Sequence, residues 1–274
     1  MEGVWMTRGF IFDLDGTVYL GEKAIEGSAQ TISELKEKGD RVLFLSNKPI
    51  ASRHSYVEKL WKMGIVTTLD EVLNSNYIMA NYLKANLGED ERVLVIGETP
   101  LFAELKALSI PITNNPLKAS YVVLSWDRSF SYDKLNSAYQ AWRNGAKIIA
   151  TNPDRTCPIE GGEIPDCGAM IGAIEGATGQ KIDLVVGKPS TLMADAALKK
   201  LGLEKSNCYM VGDRLETDIK MANDVGISSI LVLTGITTKD MAEKSLDKPT
   251  FILDSIKDIP KNICGSINNK SILK

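Results

Sequence analysis

Apolar residues along this chain come in short uninterrupted runs, each stopped by glycine or a polar cluster and followed by an amphipathic stretch. Runs of that length between turn signals read as strands buried on both faces of a parallel sheet, with helices as the connections. The first run is GFIFDLDG, residues 9 to 16, in which Phe10, Ile11, Phe12 and Leu14 surround Asp13 and the strand stops at Asp15 and Gly16. Residues 27 to 38 (GSAQTISELKEK) follow as a helix, with Ile32 and Leu35 on one face and Gly39 after its end. RVLFLSNK gives a second strand running into Ser46 and Asn47, residues 51 to 64 a second helix, and residues 70 to 76 (DEVLNSN) a third strand with polar residues at its end.

The alternation continues through 79 to 180 with its own supply of apolar residues: helices at 77 to 87, 99 to 108 and 131 to 144, and strands at 92 to 97, 119 to 126 and 146 to 152. That periodicity suffices for a separate core, so 79 to 180 reads as an inserted α/β domain and residues 1 to 78 with 181 to 274 as the main one. Within the insertion, residues 151 to 168 (TNPDRTCPIEGGEIPDCG) hold three prolines and three glycines, which predicts a long shaped loop facing substrate. LVVGKPS (184 to 190) is a strand ending at Gly187 before Lys188. CYMVGDRLETD is another, ending at Gly212 before Asp213, with Asp218 in the first turns of a following helix. SSILVLTG and PTFILDSIKDIP supply the last strands and a short helix.

Open α/β sheets bind ligands at the carboxyl ends of their strands, and the strand ends here carry reactive groups. Asp13 and Asp15, two apart in an extended chain, face the same side, and Gly16 lets the backbone turn away after them. Two carboxylates so close need a cation between or beside them, most simply Mg²⁺. Alone, such a pair reads as a turn, and so does Ser46-Asn47. Taken together, Asp13, Asp15, Ser46, Lys188, Asp213 and Asp218 combine carboxylates for a cation with a hydroxyl and an ammonium for an oxyanion, which describes phosphoryl transfer. One parallel sheet is expected to bring all of these strand ends to one edge.

Composition narrows the field. The chain has 274 residues, 44% hydrophobic and 24% charged, with a net charge of −3, so it lacks the basic excess of a nucleic-acid binder. No apolar run reaches the roughly 18 residues of a membrane span, and MEGVWMTRG has no signal-peptide core; Met6 would serve as a start as well as Met1. Cys157, Cys167, Cys208 and Cys264 show no paired spacing, which points to reduced thiols in a cytoplasmic protein without zinc. The single histidine, His54, lies in a polar helix and leaves no base for a Ser-His-Asp hydrolase. A phospho-accepting receiver module would share an Asp at a strand end, but it has no leaving group for a second Asp at i+2 to protonate and no hundred-residue insertion.

DLDGT, a strand ending Ser-Asn, GKP and GDRLETD, in this order, resemble the four motifs of the haloacid dehalogenase superfamily of phosphatases, across residues 9 to 258. The insertion, the TNPD loop and the GDRLETD form are similar to the class IIA, NagD-type branch, and NPDR, GAMIGAIE, LVVGKPS and LDSIKD to its sugar phosphatases; the branch also includes phosphoglycolate and pyridoxal-phosphate phosphatases. The resemblance implies a Rossmann-like core with an inserted cap, and hydrolysis of small phosphorylated metabolites with Mg²⁺. It implies Asp13 as nucleophile and Asp15 as acid and base. Asp13, the Asp15 carbonyl and Asp213 would bind metal with Asp218 behind them, and Ser46, the Asn47 backbone and Lys188 would bind the phosphoryl oxygens. It further implies a homodimer through the cap. Two departures stand out: Lys48-Pro49 follows Asn47 where a second Asn is usual, and in the cap loop Cys157 occupies the place of a substrate-touching histidine while Asp166-Cys167 replaces the commoner Gly-Ala.

Overall fold

In the computed structural model the described residues are 7–159 and 161–259, so Met1, Met6 and Cys264 lie outside them. The described residues divide into two compact units, one formed by 7–45, 54–72 and 194–259, the other by 46–53 and the described part of 73–193. Strands in chain order are β1 (Gly9–Asp13), β2 (Tyr19–Leu20), β3 (Lys23–Ala24), β4 (Arg41–Ser46) and β5 (Val72–Asn74). They continue with β6 (Val93–Ile96), β7 (Tyr121–Leu124), β8 (Lys147–Ala150), β9 (Thr156–Ile159), β10 (Gly162–Pro165) and β11 (Leu184–Val185). The last three are β12 (Cys208–Gly212), β13 (Ser228–Val232) and β14 (Phe251–Leu253).

The first unit is organised on a sheet of order β14-β13-β12-β1-β4-β5. Its central strand β1 pairs in parallel with β12 on one side (Phe12↔Val211) and β4 on the other (Asp13↔Leu45). Phe10, Ile11, Phe12, Phe44, Val211, Ile230 and Leu231 are all buried, which is why these strands are apolar at successive rather than alternate positions. Phe10 stacks on Tyr209 with ring centroids 5.2 Å apart. Helices α1 (Ser28–Glu37) and α2 (Arg53–Lys62) follow β1 and β4 as the periodicity predicts, α1 burying Ile32 and Leu35.

The second unit has its own parallel sheet, of order β11-β8-β7-β6. Helices α3 (Ser75–Asn86), α4 (Thr99–Ala107), α5 (Tyr132–Arg143) and α6 (Cys167–Thr178) alternate with these strands. Leu94, Val122, Leu124, Trp126, Ile148 and Ile174 form its buried core.

Several expectations need correction. The third strand covers only Val72–Asn74: Leu69–Glu71 forms a 3₁₀ turn, and Asn74, whose side chain accepts from the Tyr77 amide, caps α3. Residues 151 to 168 are not an irregular loop but contain the antiparallel hairpin β9–β10, with Cys157 opposite Ile164. Its prolines fit because a two-stranded ribbon consists only of edge strands. The strand before Lys188 is β11, which pairs with β8 (Leu184↔Ile149) and so belongs to the second sheet. The strand ends that carry the polar residues are therefore shared between two sheets.

Candidate active site

β1 and β12 run parallel and in register, so Asp13 at the end of β1 and Asp213 just past β12 leave neighbouring strands at the same edge. Asp218 joins them from a π-helical turn, Leu215–Ile219, that precedes the helix Lys220–Val225, rather than from that helix itself. Such turns wind the chain wider than an α-helix and recur at functional sites. Here one swings a carboxylate back to the strand end. The turn needs Gly212, where an added β-carbon would stand 2.4 Å from the Asp218 Cβ. The Asp218 carboxylate also accepts from the Arg214 amide at 3.1 Å.

Asp13, Asp213 and Asp218 each offer a carboxylate oxygen within 4.8 Å of the others. Asp218 is fully buried, Asp213 1% exposed and Asp13 8% exposed. Three acids this close and this shielded repel strongly unless a cation lies among them. A cluster of hard oxygen donors fits a hard divalent ion, Mg²⁺ or Ca²⁺.

Asp213 is held by two segments remote in sequence. The Ile236 amide donates to its Oδ2 at 2.8 Å. A β-carbon on Gly16 (φ +94°) would approach that oxygen to 2.5 Å, and one on Gly235 to 1.9 Å. The Thr234 hydroxyl donates to the Gly16 carbonyl at 2.6 Å, tying the turn after β1 to the loop after β13. Neither Thr234 nor Gly235 stands out in the sequence, where a glycine after a strand reads as an ordinary turn.

Asp15 is half-buried and pairs through a single β-bridge with Tyr19. The Gly16 amide donates to the Tyr19 carbonyl at 2.7 Å, which folds the chain into the small β2–β3 hairpin beside the aspartates. Tyr19 is 3% exposed, with the Lys59 ammonium 4.2 Å from its ring centroid. Burial, and then the charges of Tyr56, Asp15 and Asp13, raise its pKa, so the phenol stays neutral.

Ser46 closes β4 one residue past Leu45, the register partner of Asp13, and its Oγ accepts from the Lys48 amide at 3.2 Å. In the second unit the Asn47 side chain, not only its backbone, is engaged. Its Nδ2 donates to Lys188 O at 3.0 Å and to Asp154 Oδ2 at 2.9 Å, while its Oδ1 accepts from the Lys188 amide at 2.7 Å. Lys188 is 2% exposed. Asn152 Nδ2 donates both to Asp154 and to Asp166 (2.9 and 3.0 Å). Asp166 caps α6; desolvation raises its pKa, against the opposing effect of the Asn152 and Cys167 hydrogen bonds. Cys157, 6% exposed, packs in the apolar core of this unit with Cys167. Burial pushes the Cys167 thiol up to about 12. Cys157, Cys167 and Cys208 are free thiols, and His54 is exposed in the first turn of α2. Among the described residues no helix is long and apolar enough to cross a membrane.

Comparison with known proteins is consistent across sequence and structure. Residues 10–111 match the profile of the haloacid dehalogenase-like hydrolases, and residues 185–259 a related profile of HAD-hydrolase-like proteins. The sugar-phosphatase AraL of Bacillus subtilis is 42% identical over 253 residues, covering 92% of each chain. A 4-nitrophenylphosphatase from Thermotoga maritima superposes with a TM-score of 0.87 at 37% identity, over 93% of this chain and 97% of that one. A glycerol phosphate phosphatase from Mycobacterium tuberculosis, solved in complex with magnesium, gives a TM-score of 0.86 at 30% identity, over 92% of this chain and 76% of that one.

Proposed function

The chain belongs to the haloacid dehalogenase-like hydrolases, in their class IIA, NagD-type phosphatase branch, and we propose that it hydrolyses phosphomonoesters of small metabolites, sugar phosphates foremost, through an aspartyl-phosphate on Asp13. The observation that carries this reading is the buried cluster of Asp13, Asp213 and Asp218 with a further carboxylate, Asp15, two residues beyond the first. A cation site built onto a nucleophile, with an acid beside it, is what phosphoryl transfer requires.

In the first half-reaction an Asp13 carboxylate oxygen attacks phosphorus. The ester oxygen departs with the proton that Asp15 supplies, so the alcohol leaves neutral. In the second, Asp15 takes a proton from water as the water oxygen attacks phosphorus. The P–O bond to Asp13 breaks, its electron pair returns to the carboxylate, and inorganic phosphate is released. Asp13, Asp213 and the Asp15 carbonyl are assigned to hold Mg²⁺, with Asp218 fixing them from behind; the ion would offset the charge of nucleophile and phosphate. Ser46, Asn47 and Lys188 are assigned to the phosphoryl oxygens. Residues 79–180, Cys157 of β9 among them, are assigned to substrate selection. A homodimer through this cap and a cytoplasmic location complete the reading.

The test is turnover of p-nitrophenyl phosphate with Mg²⁺, followed by a panel of sugar phosphates, phosphoglycolate and pyridoxal phosphate. Release above an Asp13→Asn control is expected, with highest kcat/KM on a sugar phosphate. No release above that control sinks the reaction; a clear preference for phosphoglycolate or pyridoxal phosphate sinks only the substrate class.

A further inference from the structure

Asp154, the last residue of the TNPD segment, has been given no role above, yet it is the point at which the β9–β10 hairpin meets the segment carrying Lys188. Its Oδ2 accepts from the Nδ2 groups of Asn47 and Asn152, both at 2.9 Å. The Asn47 carboxamide in turn grips one residue at two points, accepting the Lys188 N–H at 2.7 Å and donating to the Lys188 carbonyl at 3.0 Å. Close packing reinforces the grip, since a β-carbon on Gly187 would lie 2.7 Å from Asn47 Oδ1 and 2.4 Å from the Thr151 carbonyl.

The backbone around Asp154 closes the foot of the hairpin. Its carbonyl accepts from the Gly168 amide at 2.8 Å, and the Arg155 carbonyl accepts from the Asp166 amide at 2.9 Å. No side chain fits at Gly168, where a β-carbon would stand 2.7 Å from the Asp154 carbonyl oxygen. Residues 154–155 and 166–168 are thus zipped together, with the hairpin between them.

A carboxylate only accepts hydrogen bonds, whereas a carboxamide has one accepting and one donating end. By accepting from Nδ2, Asp154 decides which way round the Asn47 amide sits, and that orientation matches the Lys188 N–H with an oxygen. We infer that Asp154 is a positioning residue for Lys188, acting through the Asn47 side chain, so that the hairpin's foot sets the phosphate affinity of the site. The inference rests on the assignment of Lys188 to the phosphoryl group.

The experiment compares Asp154→Ala, Asp154→Asn, Asn47→Ala and the Asn47→Ala/Asp154→Ala double variant. Two readouts are used: amide hydrogen exchange of the peptide spanning residues 184 to 190, and KM with the inhibition constant of inorganic phosphate on the Mg²⁺-loaded enzyme. Asp154→Ala is expected to speed exchange in that peptide and to raise both constants about tenfold, with a smaller change in kcat. Asp154→Asn keeps an acceptor at the same place and is expected to stay within about threefold of the parent. In the Asn47→Ala background the second substitution should add nothing, because the two act in series. If Asp154→Ala does not fold, Asp154→Ser removes the same reach and is read in the same way. Parent-like exchange and KM in a folded Ala or Ser variant, or full additivity in the double variant, overturns the inference. Faster exchange in Asp154→Ala, together with a parent that neither turns over nor binds phosphate, would instead overturn the phosphatase reading and leave the Asp154 clamp standing.

Discussion

The amide nitrogen of Ile236 lies 2.8 Å from Oδ2 of Asp213, and Gly235 beside it has no room for even a methyl group, which would stand 1.9 Å from the same oxygen. Asp213 is therefore aimed by a loop that follows a different strand, β13. Gly235→Ala must push either the loop or the carboxylate aside. Calorimetric titration with Mg²⁺ is expected to show affinity lowered by about ten- to a hundredfold, the usual cost of disturbing what orients a metal ligand. Excess Mg²⁺ should restore much of the kcat. An unchanged affinity in a folded variant would mean that the loop only packs.

The two aspartates of β1 and its turn should separate in their effects. Asp13→Asn removes the proposed nucleophile and is expected to abolish turnover while leaving the far-UV spectrum and thermal midpoint near the parent's. Asp15→Asn leaves the attack possible but unassisted, so kcat should fall by roughly 10² to 10⁴. Steady-state kinetics on p-nitrophenyl phosphate checks both, and a near-parental rate in either variant would reverse the assignment.

Removing the metal should stop catalysis and also weaken the fold, because Asp13, Asp213 and Asp218, with oxygens within 4.8 Å of one another, would then repel uncompensated. Dialysis against EDTA is expected to lower the thermal midpoint and silence turnover, both reversed by Mg²⁺ but not by Na⁺ at equal ionic strength. A midpoint indifferent to EDTA and to Mg²⁺ would contradict a cation site among these acids.

Asp166 gives a pH dependence whose sign follows from burial. Its folded-state pKa is raised, so the unfolded chain gives up its proton first as pH rises. This group's contribution to stability therefore declines from the ordinary aspartate pKa, near 4, up to the raised folded value, and is flat beyond. Asp166→Asn keeps an oxygen for the Asn152 and Cys167 donors without the charge. Thermal melts should show it more stable than the parent at pH 7, with the gain shrinking toward pH 4. A gain that grew on acidification would show that the carboxylate is favoured by its surroundings.

How far the sequence could be read depended on whether a residue's reason was local. The run GFIFD, uninterrupted because β1 is buried on both sides, announced the central strand, and the spacing of Ile32 and Leu35 announced α1. Asp13 and Asp213 stood out because each ends such a run. The hairpin at 156–165 was hidden because Pro158 and Pro165 imitate loop composition, while the pairing of Cys157 with Ile164 is a cross-strand relation. β11, only two residues long, takes its sheet from Ile149 and Ala150 rather than from its own sequence. Gly235 and Asp154 escaped for the same reason: what they exclude or hold lies 22 residues away at Asp213 and 107 residues away at Asn47.

The pairing of β1 with β12 also sets a schedule for synthesis. Gly9 emerges from the ribosome almost at once, yet its neighbour on one side, Cys208, is translated about two hundred residues later. Until then Phe10, Ile11 and Phe12 have β4 on one edge and nothing on the other, a bare hydrophobic ribbon of the kind that recruits chaperones or sticks to other nascent chains. The stretch from 73 to 193 is meanwhile complete and has its own core to collapse around. The residues of β1, the strand that ends in Asp13, are thus among the first to be translated and among the last to be fully paired.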